Sequence, residues 1–281
     1  VTNAAEQLGF DAATPLVIVT ADELGFSYAS NEGVRHALDH GAATSAGLMV
    51  PAPWARAASA AHRGQDVGVT LTLNAEHDLY RWGPITHAPS LLDGDGGFPR
   101  TPADLWDHAD VDEVRRECRA QLERAILWGF DVSHLSSHLD AAVLRPEFFD
   151  VVLELALDYS LALRLPNEDV QGDAGFPFRQ LAADEGVAVP DRVVIVRAAS
   201  AATMADAVAE LEPGITEFVL RPAIDTLELR AQTDDAAERI GHLDVLCSAD
   251  FADALGAKGA QRVAWRDLRG LQRSGATSAG T

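Results

Sequence analysis

Short apolar runs alternate along the chain with longer stretches in which apolar residues recur every three or four positions. The runs predict strands over 16–21, 44–50, 66–73, 131–136, 161–165, 192–197, 217–220 and 243–247. Several are apolar and β-branched on consecutive residues, as strands covered on both faces tend to be. The wider spacing predicts helices over 31–40, 54–63, 111–128, 146–159, 200–211 and 229–240. Asn31 and Ser200 are suited to cap their helices, and Pro146 to occupy a first turn. Repeated strand-then-helix order means a parallel sheet, and seven or eight such units favour closure. The expected fold is therefore α/β, a distorted (β/α) barrel of about seven parallel strands.

Two segments break the alternation. Residues 74–110 are rich in Gly, Pro and Trp and are expected to cross one end of the barrel, and 167–190 form a second loop. No repeat or linker divides the chain. The expected organisation is an N-terminal extension over 1–15, a single barrel domain over 16–272, and a small, polar, disordered tail over 273–281.

Composition narrows the function. None of the apolar runs in the 281 residues approaches the ~20 needed to span a membrane. The first fifteen residues have no basic start and do not resemble a signal peptide, so the cytoplasm is the expected compartment. Net charge is −21, distributed along the chain, which argues against nucleic acid or anionic membrane as a partner. A small-molecule substrate remains, with homo-oligomerisation left open. Lys258 is the only lysine, which disfavours Schiff-base chemistry, and Cys118 and Cys247 lack the spacing of a zinc site.

Catalytic side chains of parallel barrels gather at the C-terminal ends of strands. Those ends supply Asp22 and Glu23; Thr70, Thr72, Asn74, Glu76 and His77; Ser133 through Asp140, with His134 and His138; and Arg221 and Asp225. Adjacent carboxylates repel unless a cation or a shared proton intervenes, so Asp22–Glu23 is either a general base beside a ligand or a solvated turn. His134 and His138, four apart, are either metal- or proton-handling imidazoles or structural ones. Trp54, Trp82 and Phe98 are candidates for a substrate wall or for ordinary packing.

The order and spacing of these stretches resemble the YdjC/ChbG-like carbohydrate deacetylase family from about residue 16 to 255. The resemblance is carried by Ala21-Asp22-Glu23-Leu24-Gly25-Phe26-Ser27, Thr44-Ser45-Ala46-Gly47-Leu48-Met49-Val50-Pro51, Val67-Gly68-Val69-Thr70-Leu71-Thr72-Leu73, Ser133-His134-Leu135-Ser136-Ser137-His138, Leu163-Arg164-Leu165-Pro166 and Arg221-Pro222-Ala223-Ile224-Asp225-Thr226. Shorter matches lie at Tyr80-Arg81-Trp82-Gly83-Pro84 and Ser90-Leu91-Leu92-Asp93. The resemblance implies a distorted barrel and, for ordinary members, a divalent metal that activates water to remove an acetyl group from an N-acetylated sugar.

The family's site positions transfer unevenly. The base position is kept as Asp22, and the neighbouring metal-binding Asp is Glu23. A metal-binding His is replaced by Thr70, and the last His of the fourth-strand motif is kept as His138 although its Asp has become Ser136. A His near the seventh strand is Arg221. These departures imply a weakened metal site, because catalytic divalent ions generally take three or more protein ligands. The expected cofactor is therefore none; a metal, if bound, would sit on Glu23 and His138, with His134 or Thr70 beside them. Three readings follow. The first is acid–base chemistry without a metal (elimination, isomerisation, cyclisation or hydrolysis of an activated bond) using Asp22, Glu23, His138 and Arg221, with Thr70, His134, Ser136, Trp54, Trp82 and Glu76 contacting substrate. The second is a residual metal-dependent deacetylase, and the third a non-catalytic binding protein.

Overall fold

The computed structural model describes residues 4–279, with side chains described through residue 274. Seven parallel strands curl into a half-barrel: β1 (Pro15–Leu24), β2 (Ser45–Leu48), β3 (Val67–Leu71), β4 (His134–Ser137), β5 (Ala162–Leu163), β6 (Arg192–Ile195) and β7 (Gly214–Leu220). Their order is β5-β4-β3-β2-β1-β7-β6, and a two-residue β8 (Gln261–Arg262) also pairs with β1. Among the described residues no pairing joins β5 to β6, so the barrel is open there.

Alternation along the central strand explains both layers of the core. Val17, Val19 and Ala21 point outward into the main apolar cluster beneath the helices. Leu16 and Ile18 point inward and meet Ala162, Ile215, Val263 and Trp265 in a second cluster that closes the barrel floor. Because side chains alternate with a period of two, Thr20 and Asp22 must continue the inward row above that floor. By the same parity β3 turns Gly68 and Thr70 inward, β4 turns His134 and Ser136, and β7 turns Glu217. The interior thus grades from apolar at the floor to charged at the open end.

Several expected elements are corrected. Residues 243–247 do not form a strand but complete the helix Ala236–Leu246, which buries Ala236, Arg239, His242, Val245 and Leu246 at near-helical spacing. The predicted helix over 229–240 is two, Leu227–Gln232 and Ala236–Leu246. The first long helix begins at Tyr28, with Ser27 accepting from the Ser30 N–H as its cap. Asn31 instead accepts from the Gly25 N–H at 2.7 Å and donates to the Trp54 carbonyl. Ser200 does cap its helix, in a reciprocal capping box with Thr203. The loops contain short helices, Pro102–His108 in the first and Glu168–Ala174 and Phe178–Asp184 in the second.

The expected extension and tail are partly ordered as well. Helix Ala4–Gln7 buries Ala5 against the floor cluster. The last helix, Trp265–Ala279, continues through most of the segment read as disordered. Its amphipathic start seats Trp265 and Leu268, and Arg273 reaches the carbonyls of Tyr159 and Ser160. Residues 280 and 281 of that expected tail lie outside the described residues. Among the described residues, no helix is long and apolar enough to cross a membrane.

Candidate active site

A polar column rises through the barrel from Trp265. The Trp265 indole N–H donates to Glu217 Oε1 at 3.1 Å, and the Thr20 hydroxyl donates to the same oxygen at 2.5 Å. Arg164, just past the end of β5, donates to Glu217 through Nε and Nη2, the latter at 2.6 Å, and to Asp22 Oδ2 through Nη1 at 2.7 Å. All three charged groups are buried, so the guanidinium between two carboxylates supplies the compensation that isolated buried ions lack. Burial pushes the Asp22 carboxyl up, but the charge and hydrogen bond of Arg164 outweigh it and hold the group below the usual carboxylate range.

Asp22 Oδ1 also accepts from the Thr70 hydroxyl and the Glu23 N–H, both at 3.1 Å, and Ser136 donates to Thr70 at 3.0 Å. This cluster depends on Gly47 across the sheet. A Cβ there would lie 2.1 Å from Asp22 Oδ1 and 2.5 Å from the Thr70 oxygen. β1 is irregular at this point, since three residue steps from Ala21 to Leu24 match two on β2. The irregularity puts Glu23 at φ 63°, a left-handed backbone that a non-glycine residue adopts at a cost.

Glu23 is held there by arginines. Arg239, from helix Ala236–Leu246, donates to its Oε2, and Arg221 Nη1 lies 3.6 Å from its Oε1. Arg239 stacks its guanidinium 4.6 Å over the Phe26 ring and also pairs with Asp235. Arg221 pairs further with Asp235 at 2.9 Å and Glu238 at 2.6 Å. His138 Nε2 meets Glu76 Oε2 at 2.9 Å. Burial lowers the His138 pKa, but the Glu76 charge and hydrogen bond overcome it and raise the group above its ordinary value; Glu76 falls to about 2.

Asp22, Glu23, Thr70, His138 and Arg221 line one cavity of about 250 Å³ at the C-terminal strand ends. The same cavity takes in Arg164 and Asp140, which strand-end reading did not single out as site residues. Burial raises the Asp140 carboxyl to about 6. Ser136 and Glu76 stand directly behind the lining, bonded to Thr70 and His138.

Other candidates lie elsewhere. His134 is fully buried at the floor, stacked 4.3 Å from Trp265, with its Nδ1 on the Ser133 hydroxyl. It opens β4 rather than ending it, and four residue steps at ~3.3 Å each place it about 13 Å from His138, so the two cannot share an ion. Trp54 packs with Tyr28 in a separate outer groove. Trp82 is buried behind His138, and Phe98 belongs to the core.

These residues do not fit a divalent cation. Thr70 offers a neutral hydroxyl already given to Asp22, the Glu23 oxygens face two guanidinium groups, and His138 Nε2 is taken by Glu76. Among the described residues, no group of three or more His, Cys, Asp and Glu is arranged to hold a metal.

Comparison with known proteins agrees with the architecture. The family model described as YdjC-like protein matches residues 16–257. The chain belongs to this YdjC-like family. A carbohydrate deacetylase of Thermus thermophilus is 38% identical over 167 residues, an alignment spanning 59% of each chain. A carbohydrate deacetylase of Geobacillus stearothermophilus is 29% identical over 267 residues, covering 89% of this chain and 97% of that one. A crystal structure from Enterococcus faecalis, 24% identical, superposes with a TM-score of 0.80 over 91% of this YdjC-like chain and 99% of its own, which establishes the shared fold.

The buried neutral His134 predicts an acid limb in the stability curve. Burial, and secondarily the charge of Arg164, holds its pKa well below 6.5. A depressed histidine pKa means stability is fully present above about 6.5 and is lost as pH falls through that value, by about 1.4 kcal/mol per unit until the folded pKa is reached. Replacing His134→Phe keeps a ring against Trp265. Urea unfolding midpoints of the variant should therefore fall less than those of the parent between pH 6.5 and 5; parallel curves would contradict this assignment.

Proposed function

We propose that this member of the deacetylase family carries out metal-independent acid–base chemistry on a small molecule, most directly the hydrolysis of an activated acyl bond. The observation that carries the reading is the clamp on Glu23: its carboxylate is neutralised by Arg239 and Arg221. Fixed guanidinium groups supply the positive charge that a divalent ion would otherwise bring to this position. A second cation there would meet repulsion from both.

In this reading Asp22 takes a proton from the water that attacks the acyl carbon, and His138 returns a proton to the leaving group as the bond breaks. The net reaction adds water across the acyl bond. Asp22 is a weak base, because Arg164 lowers its pKa, and no Lewis acid polarises the carbonyl. The substrate must therefore bring a good leaving group. Arg221 is committed to three carboxylates, so its part is to fix Glu23 rather than to bind substrate oxygen.

The test uses two probes. Hydrolysis of p-nitrophenyl acetate should survive exhaustive dialysis against a chelator, and adding zinc or nickel should not elicit acetate release from diacetylchitobiose. Chelator-sensitive, metal-restored deacetylation of the sugar would overturn the reading.

A further inference from the structure

The cavity's lining is chemically mixed. Its lining combines charged and hydrogen-bonding groups, Asp22, Thr70 and His138 among them, with the aliphatic residues Leu139, Ile195 and Val219. Leu139 and Ile195 are 43% and 57% exposed, and both are large apolar side chains standing free at the mouth. Leu139 is held at φ 51°, a backbone that a bulky residue adopts only at a cost. A bare sugar laid on the Leu139 and Ile195 side chains would give up hydration of its hydroxyls and gain no hydrogen bonds from them in return.

One arginine in the cavity is uncommitted. Arg164 and Arg221 are each bound to carboxylates, but the exposed Arg197 guanidinium has no hydrogen bond or ion pair among the described residues. In a chain with 43 acidic and 22 basic residues, carboxylates to pair with an arginine are abundant. Arg197 follows Ile195 by two residues past the end of β6, so both side chains lie on one side of the strand path. Its backbone is fixed by His242, whose Nε2 lies 2.8 Å from the Arg197 carbonyl while its Nδ1 accepts from the Arg221 N–H at 3.0 Å.

We infer that the cavity takes an amphiphilic anion, with an apolar body against Leu139 and Ile195 and an anionic group on Arg197. This deepens the proposed function and rests on it for the placement of the reacting carbonyl near Asp22. N-acetyl-leucine is the simplest probe, since it joins an acyl group, an apolar side chain and a carboxylate. Isothermal titration should show it binding the intact protein about tenfold more tightly than either N-acetyl-leucine amide or N-acetylglycine. Arg197→Gln should abolish the preference over the amide, and Ile195→Asn the preference over N-acetylglycine.

N-acetylglucosamine or a sugar phosphate binding more tightly than N-acetyl-leucine would overturn the inference, as would a carboxylate preference that survives Arg197→Gln. Binding of N-acetyl-leucine in the expected pattern without any Asp22-dependent hydrolysis would leave the inference standing and defeat the catalytic reading. Asp22-dependent hydrolysis without such binding would do the reverse.

Discussion

Arg164→Leu should cost about 3–5 kcal/mol of folding stability, the range seen when one partner of a buried ion pair is removed. The magnitude follows from what stays behind. Asp22 and Glu217 would both remain buried, facing each other with no cation between them. Glu217 would keep the Thr20 hydroxyl and the Trp265 indole, and Asp22 would keep Thr70, but neutral donors do not balance two carboxylates. Arg164→Lys should recover part of the loss, because an ammonium supplies the charge but not the fork that reaches both acids at once. Glu217→Gln should cost less than either, since Arg164 still pairs with Asp22. Denaturant midpoints of the three variants give the comparison; a leucine variant as stable as the parent would mean that the column does not hold the barrel together.

Asp22→Asn should lower p-nitrophenyl acetate turnover by about 10²–10⁴-fold, the usual contribution of a positioned general base. The amide can keep the contacts of Oδ1 with Thr70 and the Glu23 N–H, and Arg164 remains neutralised by Glu217, so the unfolding midpoint should move far less than in the leucine variant. Steady-state turnover measured beside denaturation separates the two effects. An asparagine variant with undiminished turnover would remove Asp22 from the chemistry and leave a binding protein on this fold.

Much of this cavity's lining was legible from the strand ends. Alternating apolar runs located the seven main strands, and their C-terminal ends put Asp22, Thr70, His138 and Arg221 around one cavity. The error over His134 was one of phase. The run over 131–136 marks the approach to β4, whose ladder starts at His134, so that residue faces the floor. The region after β7 was misread because Leu243, Val245 and Leu246 are as consistent with a buried helix as with a short strand. Arg164 and Glu217 were within reach, as lone charges at the inward phase of apolar strands. Arg239 was not, because it enters from a helix 216 residues after Glu23, and no local pattern encodes that meeting.

The proposed chemistry rests on Glu23 being neutralised by arginines rather than by a metal ion. The most direct test is metal analysis of the intact protein after equilibrium dialysis with zinc or nickel and exhaustive washing. No stoichiometric retention of either ion is expected. One equivalent of tightly held metal per chain would contradict the proposed chemistry.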